Sequence, residues 1–235
     1  MDDDALIAAI PEPSLAESPE LAAEAGHRRL AGAVPALEAL CRRFAGFGAA
    51  RAVPEQVAAL RALAMIGGHD AAQAVARLIE RAVVQGPGLA VALDAAARLR
   101  ATLSDEAART LLAHAEPVIR ADACRCVRHA LDFVPLLARL LDDIDDTVVR
   151  SAACALGRMG RPEARRTLTN LLRDDPSEDV IDAVSSVADD DCVVLLGRIA
   201  RSVPSLADAA LDALDSADHP RAAEVAARAR SHLQR

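Results

Sequence analysis

The chain has 235 residues, of which 52% are hydrophobic and 1% aromatic, with no Trp, no Tyr and a net charge of −8. A core without aromatics is thin and closely packed, which suits helices meeting through small residues and ill suits a large β-sandwich. All 27 basic residues are Arg, which removes Lys-dependent phosphate loops and Schiff bases, and the acidic balance argues against binding a nucleic-acid backbone.

The exclusive use of Arg reads as the codon bias of a GC-rich bacterium. The opening "MDDDALIAAI" is acidic where a secretory leader would be basic. No apolar run reaches the ~18 residues that would mark a membrane span. Five cysteines, an odd number without a leader, read as reduced thiols in a cytoplasmic protein.

In chain order, residues 1–19 carry "IPEPSLAESPE" and read as a flexible, acidic, Pro-rich arm or an irregular cap. Residues 20–50 hold two helical patterns, "ELAAEAGHRRLAGAV" and "PALEALCRRFAGFG". They are expected to form a helical cap in which Phe44 and Phe47 help close the end of an array.

From residue 51 to 235 the chain repeats itself. "VVRSAACALGRMGRPEA" has blurred copies anchored at residues 67, 103, 130, 160, 191 and 218, spaced 27 to 36 apart, the range of helical solenoids. Positions 149, 152, 153 and 156 share one helical face. Copied through six units they give 24 sites, of which only Gln56 and Asp122 are polar, so this face is expected to be core. The second helix of each unit is a Leu/Ala run such as "FVPLLARLLDD". Gly157 and Gly160 are expected to let the chain leave the first helix. The prediction is all-α, an α-α superhelix of about six helix pairs with an N-terminal helical cap.

The pattern V-R-x-x-A-A-x-A-L-G-x-x-G resembles the HEAT repeat, more closely its phycobilisome-lyase (bilin lyase) type of HEAT-like variant. The match is best in residues 144–173 and good in 116–143 and 203–230. The pattern breaks at Ile181, where Arg is missing, and at Asp189–Asp191, where a Gly turn is missing. The resemblance implies stacked helix pairs in a curved rod, with the Val-Arg helix lining the concave side. It also implies that Arg120 and Arg150 bridge structurally to turn acids of an adjacent repeat, with Asp142, Asp143, Asp145 and Asp146 as candidates.

No catalytic motif stands out, and nothing calls for a cofactor. In "CRCVRH", Cys126 and His129 share a helix face but align with the core positions Leu156 and Met159. Cys124 and Cys154 align at a solvent-facing concave position and are weak candidates for a soft metal. They read first as small residues on a groove floor, and no second Cys/His pair has zinc spacing.

The concave column copied from positions 151, 154 and 158 runs through Arg61, Arg128 and Arg158 and then Asp182, Asp189 and Asp212. The arginines are expected to meet acids of a protein partner and the aspartates its bases. The chain is therefore read as a non-enzymatic interaction scaffold. The resemblance to bilin lyases implies the alternative, an enzyme or chaperone handling an open-chain tetrapyrrole and its acceptor protein. The missing Tyr and Trp weigh against that ligand. They also weigh, with the charge, against nucleic-acid binding as in HEAT-like DNA glycosylases.

Overall fold

A computed structural model describes residues 1–11, 17–127 and 131–233. Helices and short 3-10 turns are the regular structure among them. The chain divides into two compact units, residues 1–126 and 127–235.

The first unit holds α1 (Asp3–Ala9), α2 (Ser18–His27), α3 (Val34–Arg43), α4 (Pro54–Ile66), α5 (Gly68–Glu80), α6 (Pro87–Leu99), α7 (Asp105–Leu112) and α8 (Pro117–Cys126). α2, α4, α6 and α8 stack in that order as one layer, and α3 packs on α5 in a second. Helices of one layer pack on those of the other, α3 on α4 and α5 on α6. Pro at the first turn starts α3, α4 and α6, where its missing N–H costs nothing. Gly67, at φ 75°, ends α4.

The second unit holds α9 (Val134–Arg139), α10 (Asp146–Arg158), α11 (Arg165–Asp174), α12 (Glu178–Ser185), α13 (Asp190–Ser202), α14 (Ala207–Ser216) and α15 (Ala222–Leu233). α10, α12 and α14 stack as one layer, and α11, α13 and α15 as the other. Asp145 caps α10 by accepting from the backbone N–H of Thr147 and Val148. That satisfies two of the donors a helix start leaves open.

The periodic face is core in both units. Of its 24 sites, all but Leu99, Asp122, Cys126 and Val149 are buried. Residues 20–50, expected as a cap, enter the first unit's layers as a helix pair, with α2 on α4 and α3 on α5. Phe47 covers nothing there: it is 73% exposed. Residues 3–9, expected to belong to a flexible arm, form α1, because Leu6 and Ile10 find full burial there.

Of the two glycines expected at the turn, one serves it and the other does not. Gly160 has φ 68° and serves the turn after α10. Gly157 is helical, and its role is packing: a Cβ there would lie 2.6 Å from the carbonyl oxygen of Ala183 on α12.

Candidate functional site

In the first unit, α4 and α6 leave an open groove of about 530 Å³ between them. Ala64, Ala90, Val91 and Ala95 supply small apolar walls, with Met65 at the lip. Small residues arise here because closely stacked helices leave little room for longer ones. Arg61, on α4, is exposed and has no ion-pair partner among the described residues. Arg98 and Asp94 of α6 pair at 2.7 Å, and Arg125 of α8 joins Asp94 at 3.1 Å and Asp122 at 3.4 Å. Burial raises the Asp122 carboxyl above its ordinary range, against the pull of Arg125.

In the second unit, α12 and α14 form an open groove lined by Glu178, Ile181, Asp182, Ser185, Asp212 and Ser216, among others. The carboxylates of Glu178 and Asp212 have no ion-pair partner among the described residues. Asp182 does: its Oδ2 accepts from Nε of Arg158 at 2.6 Å, while the Arg158 Nη2 donates to Asp179 at 2.7 Å. Two positions expected to meet different parts of a partner, Arg158 and Asp182, therefore meet each other. Arg158 is only 17% exposed. Among the described residues, the charge left open along the α12/α14 groove is negative.

The other expected site residues fall as follows. Arg128 and His129 lie outside the described residues. Asp189 is not on the α12 face: α12 ends at Ser185, and Asp189 caps α13, its Oδ1 accepting from Cys192 N at 3.0 Å. An Asp ahead of a helix is worth more as a cap than as a further residue of the preceding one. Arg150 bridges forward, as expected of its class, but to Asp175 and to Ser177 of the following turn rather than to residues 142–146. Arg120 donates to the carbonyls of His114 and Ala115, in the turn that precedes its own helix.

The cysteines are corrected too. Cys124 and Cys154, expected on the groove floor, are buried at 0% and 5% exposure. Burial pushes the Cys154 thiol up to about 11, so the side chain is a buried neutral thiol and not an exposed reactive one. Cys126, expected in the core, is half-buried, its Sγ 3.6 Å from the carbonyl of Leu93. Among the described residues no group of three or more His, Cys, Asp or Glu could hold a metal.

Two polar devices matter more than their sequence signal suggests. Gln56 is 1% exposed, and its Nε2 donates toward the carbonyls of Cys41 (3.0 Å), Phe44 (3.2 Å) and Val83 (3.2 Å). It joins two loop starts to α4. Glu38 on α3 takes two hydrogen bonds from Arg77 on α5 and one from Arg42. The Arg77 guanidinium, with help from Arg42, holds its carboxyl below the usual range. Gln56 was visible in the sequence as a polar exception on an apolar face. Glu38 gave no such signal, since its partner lies 39 residues away.

The family described as HEAT repeats matches residues 104–188. No curated protein matches the chain. A solved chain from the complex of CpcE and CpcF of phycocyanin lyase from Nostoc sp. PCC7120 aligns over 99% of this chain and 95% of its own, with TM-score 0.63 and 19% identity. A solved engineered protein aligns over 100% of this chain and 97% of its own, with 20% identity, but its TM-score of 0.36 is too low to bear on the fold. Among the described residues no helix is long and apolar enough to cross a membrane. Residues 104–188 match the HEAT-repeat family, and the described residues form an all-α fold shared with the phycocyanin lyase chain.

Proposed function

We propose that the chain is a non-enzymatic HEAT-repeat module that binds a protein partner through the α4/α6 and α12/α14 faces. The observation that carries this reading is the pair of open grooves with uncommitted charge: Arg61 beside the first, Glu178 and Asp212 beside the second. Small apolar walls with a few unpaired charges suit a helix or extended segment of another protein. At each face the uncommitted charge would draw a partner segment of the opposite sign and speed its capture. The solved chain of like fold comes from a complex of two proteins, which supports a protein partner here as well.

The same likeness favours a second reading, a lyase or chaperone for an open-chain tetrapyrrole, because that solved complex is a phycocyanin lyase. The groove walls offer no aromatic side chain to a flat conjugated ligand.

The test is affinity capture of the partner from the source organism by the wild-type chain and by the variant Arg61→Glu with Asp212→Arg. Binding of the identified partner should fall at least tenfold at low salt, with circular dichroism unchanged. Undiminished binding would place the site elsewhere. A changed absorbance band on mixing with an open-chain tetrapyrrole would favour the second reading.

A further inference from the structure

In the second layer of the first unit the stacking is interrupted. α3 packs closely on α5, but α7 does not, although α6 and α8, on which α5 and α7 rest, pack on each other. The gap is an open cleft of about 440 Å³ between the end of α5, the turn at 81–86 and α7. Its floor is apolar, with the buried side chains of Ile79, Val84 and Leu111 reaching its surface. The turn along one side is pinned. Ala82 and Gly86 hold φ of 50° and 54°. Gln56 donates to the Val83 carbonyl at 3.2 Å, and a Cβ on Gly86 would strike the carbonyl oxygens of Gly48 and Ala49. The cleft is therefore preformed, which lowers the cost of filling it.

The polar lining separates into groups already spent and groups left open. Gln85 Nε2 donates to the Ala82 carbonyl at 3.1 Å and Thr110 Oγ1 to the Glu106 carbonyl at 2.9 Å. His114 Nδ1 accepts from the Glu116 N–H at 3.1 Å. Glu80 Oε1 accepts from the Ser104 N–H at 2.7 Å, which ties the end of α5 to the start of α7. What remains open is the second oxygen of Glu80 and the whole carboxylate of Glu106, both exposed and without an ion-pair partner among the described residues. No arginine lines the cleft: Arg77, the nearest on the inner side of α5, is committed to Glu38.

We infer that the α5/α7 cleft is a docking site for a basic segment of a partner protein, entered by an arginine or lysine side chain. One such side chain matches both halves of the cleft: an aliphatic stem for the apolar floor and a cationic head for the two carboxylates. An acidic segment would meet like charge there, and an apolar one would strip water from Glu80 and Glu106 without replacing it. The cleft opens on the α5/α7 layer, whereas the groove proposed above lies between α4 and α6. The two sites stand or fall independently.

The probe is a blocked pentapeptide with a central arginine flanked by leucines, titrated into the isotope-labelled full-length chain and followed by amide NMR shifts. Saturable shifts are expected at residues 80–86 and 104–111. The same peptide with citrulline keeps the shape and loses the charge. It should bind at least about fivefold more weakly, the scale of two exposed charge pairs. The arginine peptide should weaken as much on the chain carrying Glu80→Gln and Glu106→Gln, in which Gln at 80 still accepts from Ser104. Ala107→Leu, which fills the cleft without changing charge, should weaken both peptides. Glu178→Gln with Asp212→Asn, in the second unit, should leave binding here unchanged. Equal binding of the arginine and citrulline peptides, or no saturable shift at the cleft, overturns the proposal. So does an equal loss on the second-unit variant, which would reduce the effect to general attraction by an acidic chain.

Discussion

Gly157 on α10 lies so close to Ala183 on α12 that a Cβ on the glycine would sit 2.6 Å from the alanine's carbonyl oxygen. The two helices touch there by backbone, with no side chain between them. The same added Cβ would lie 2.6 Å from Cδ1 of Leu168, so the space is closed on two sides. Gly157→Ala should therefore lower stability by ~1–3 kcal/mol through overpacking, although Ala is the better helix former by ~1 kcal/mol. Urea unfolding measures the sign. A more stable variant would mean that α10 and α12 separate easily.

This contact also shows what the sequence could and could not convey. The apolar period of 149, 152, 153 and 156 was legible because a helix that buries one face repeats every 3.6 residues. Its burial is broader than that period: α10 is buried at every position from Ala152 to Gly157, since α9, α11 and α12 all pack on it. A test of one face cannot see the second flank, which is why Cys154 read as exposed. The Arg158–Asp182 pair was hidden for a related reason. Each residue fits a solvated face on its own helix, and only the stacking of α10 on α12 brings them together. α1 was obscured by its flanking prolines and acids, which resemble those of a disordered arm.

Gln56 supplies a second prediction. Its buried Nε2 serves three carbonyls. Gln56→Leu keeps much of the volume but leaves these acceptors without their donor, which should cost ~1–3 kcal/mol. Chemical denaturation should show the loss as a lower midpoint with an unchanged slope.

The two forward-reaching arginines should differ in weight. Arg150 pairs with Asp175, whose side chain is 75% exposed, and solvent screens such a pair. Arg158 is itself largely sunk into the helix pair, at 17% exposure, and holds both Asp179 and Asp182. Arg150→Ala should cost ~0.5 kcal/mol and Arg158→Ala ~1 kcal/mol, both aspartates of the latter being well solvated. Equal losses would mean that burial of the guanidinium does not matter here.

Acid titration should separate two carboxylates with opposite histories. Glu38 titrates below its ordinary value of 4.5 because Arg77, and then Arg42, favour its charged form. Its contribution is fully present above the unfolded pKa and is lost as pH falls through the lower folded pKa. Asp122 is raised above 3.8 by burial. It opposes folding above its folded pKa, and that cost fades as pH falls through the same range toward 3.8. Glu38→Gln should therefore destabilise the chain at pH 7, by ~1–2 kcal/mol for a buried charge-assisted pair, and should flatten the loss of stability below pH 4.5. Asp122→Asn should leave stability at pH 7 unchanged or slightly higher, since the neutral side chain is the form its surroundings prefer. Urea midpoints measured at pH 7 and at pH 4 for the wild type and both variants test the signs. A Glu38→Gln chain whose midpoint falls with acid as steeply as the wild type's would show that the Arg77 pair does not govern the acid limb.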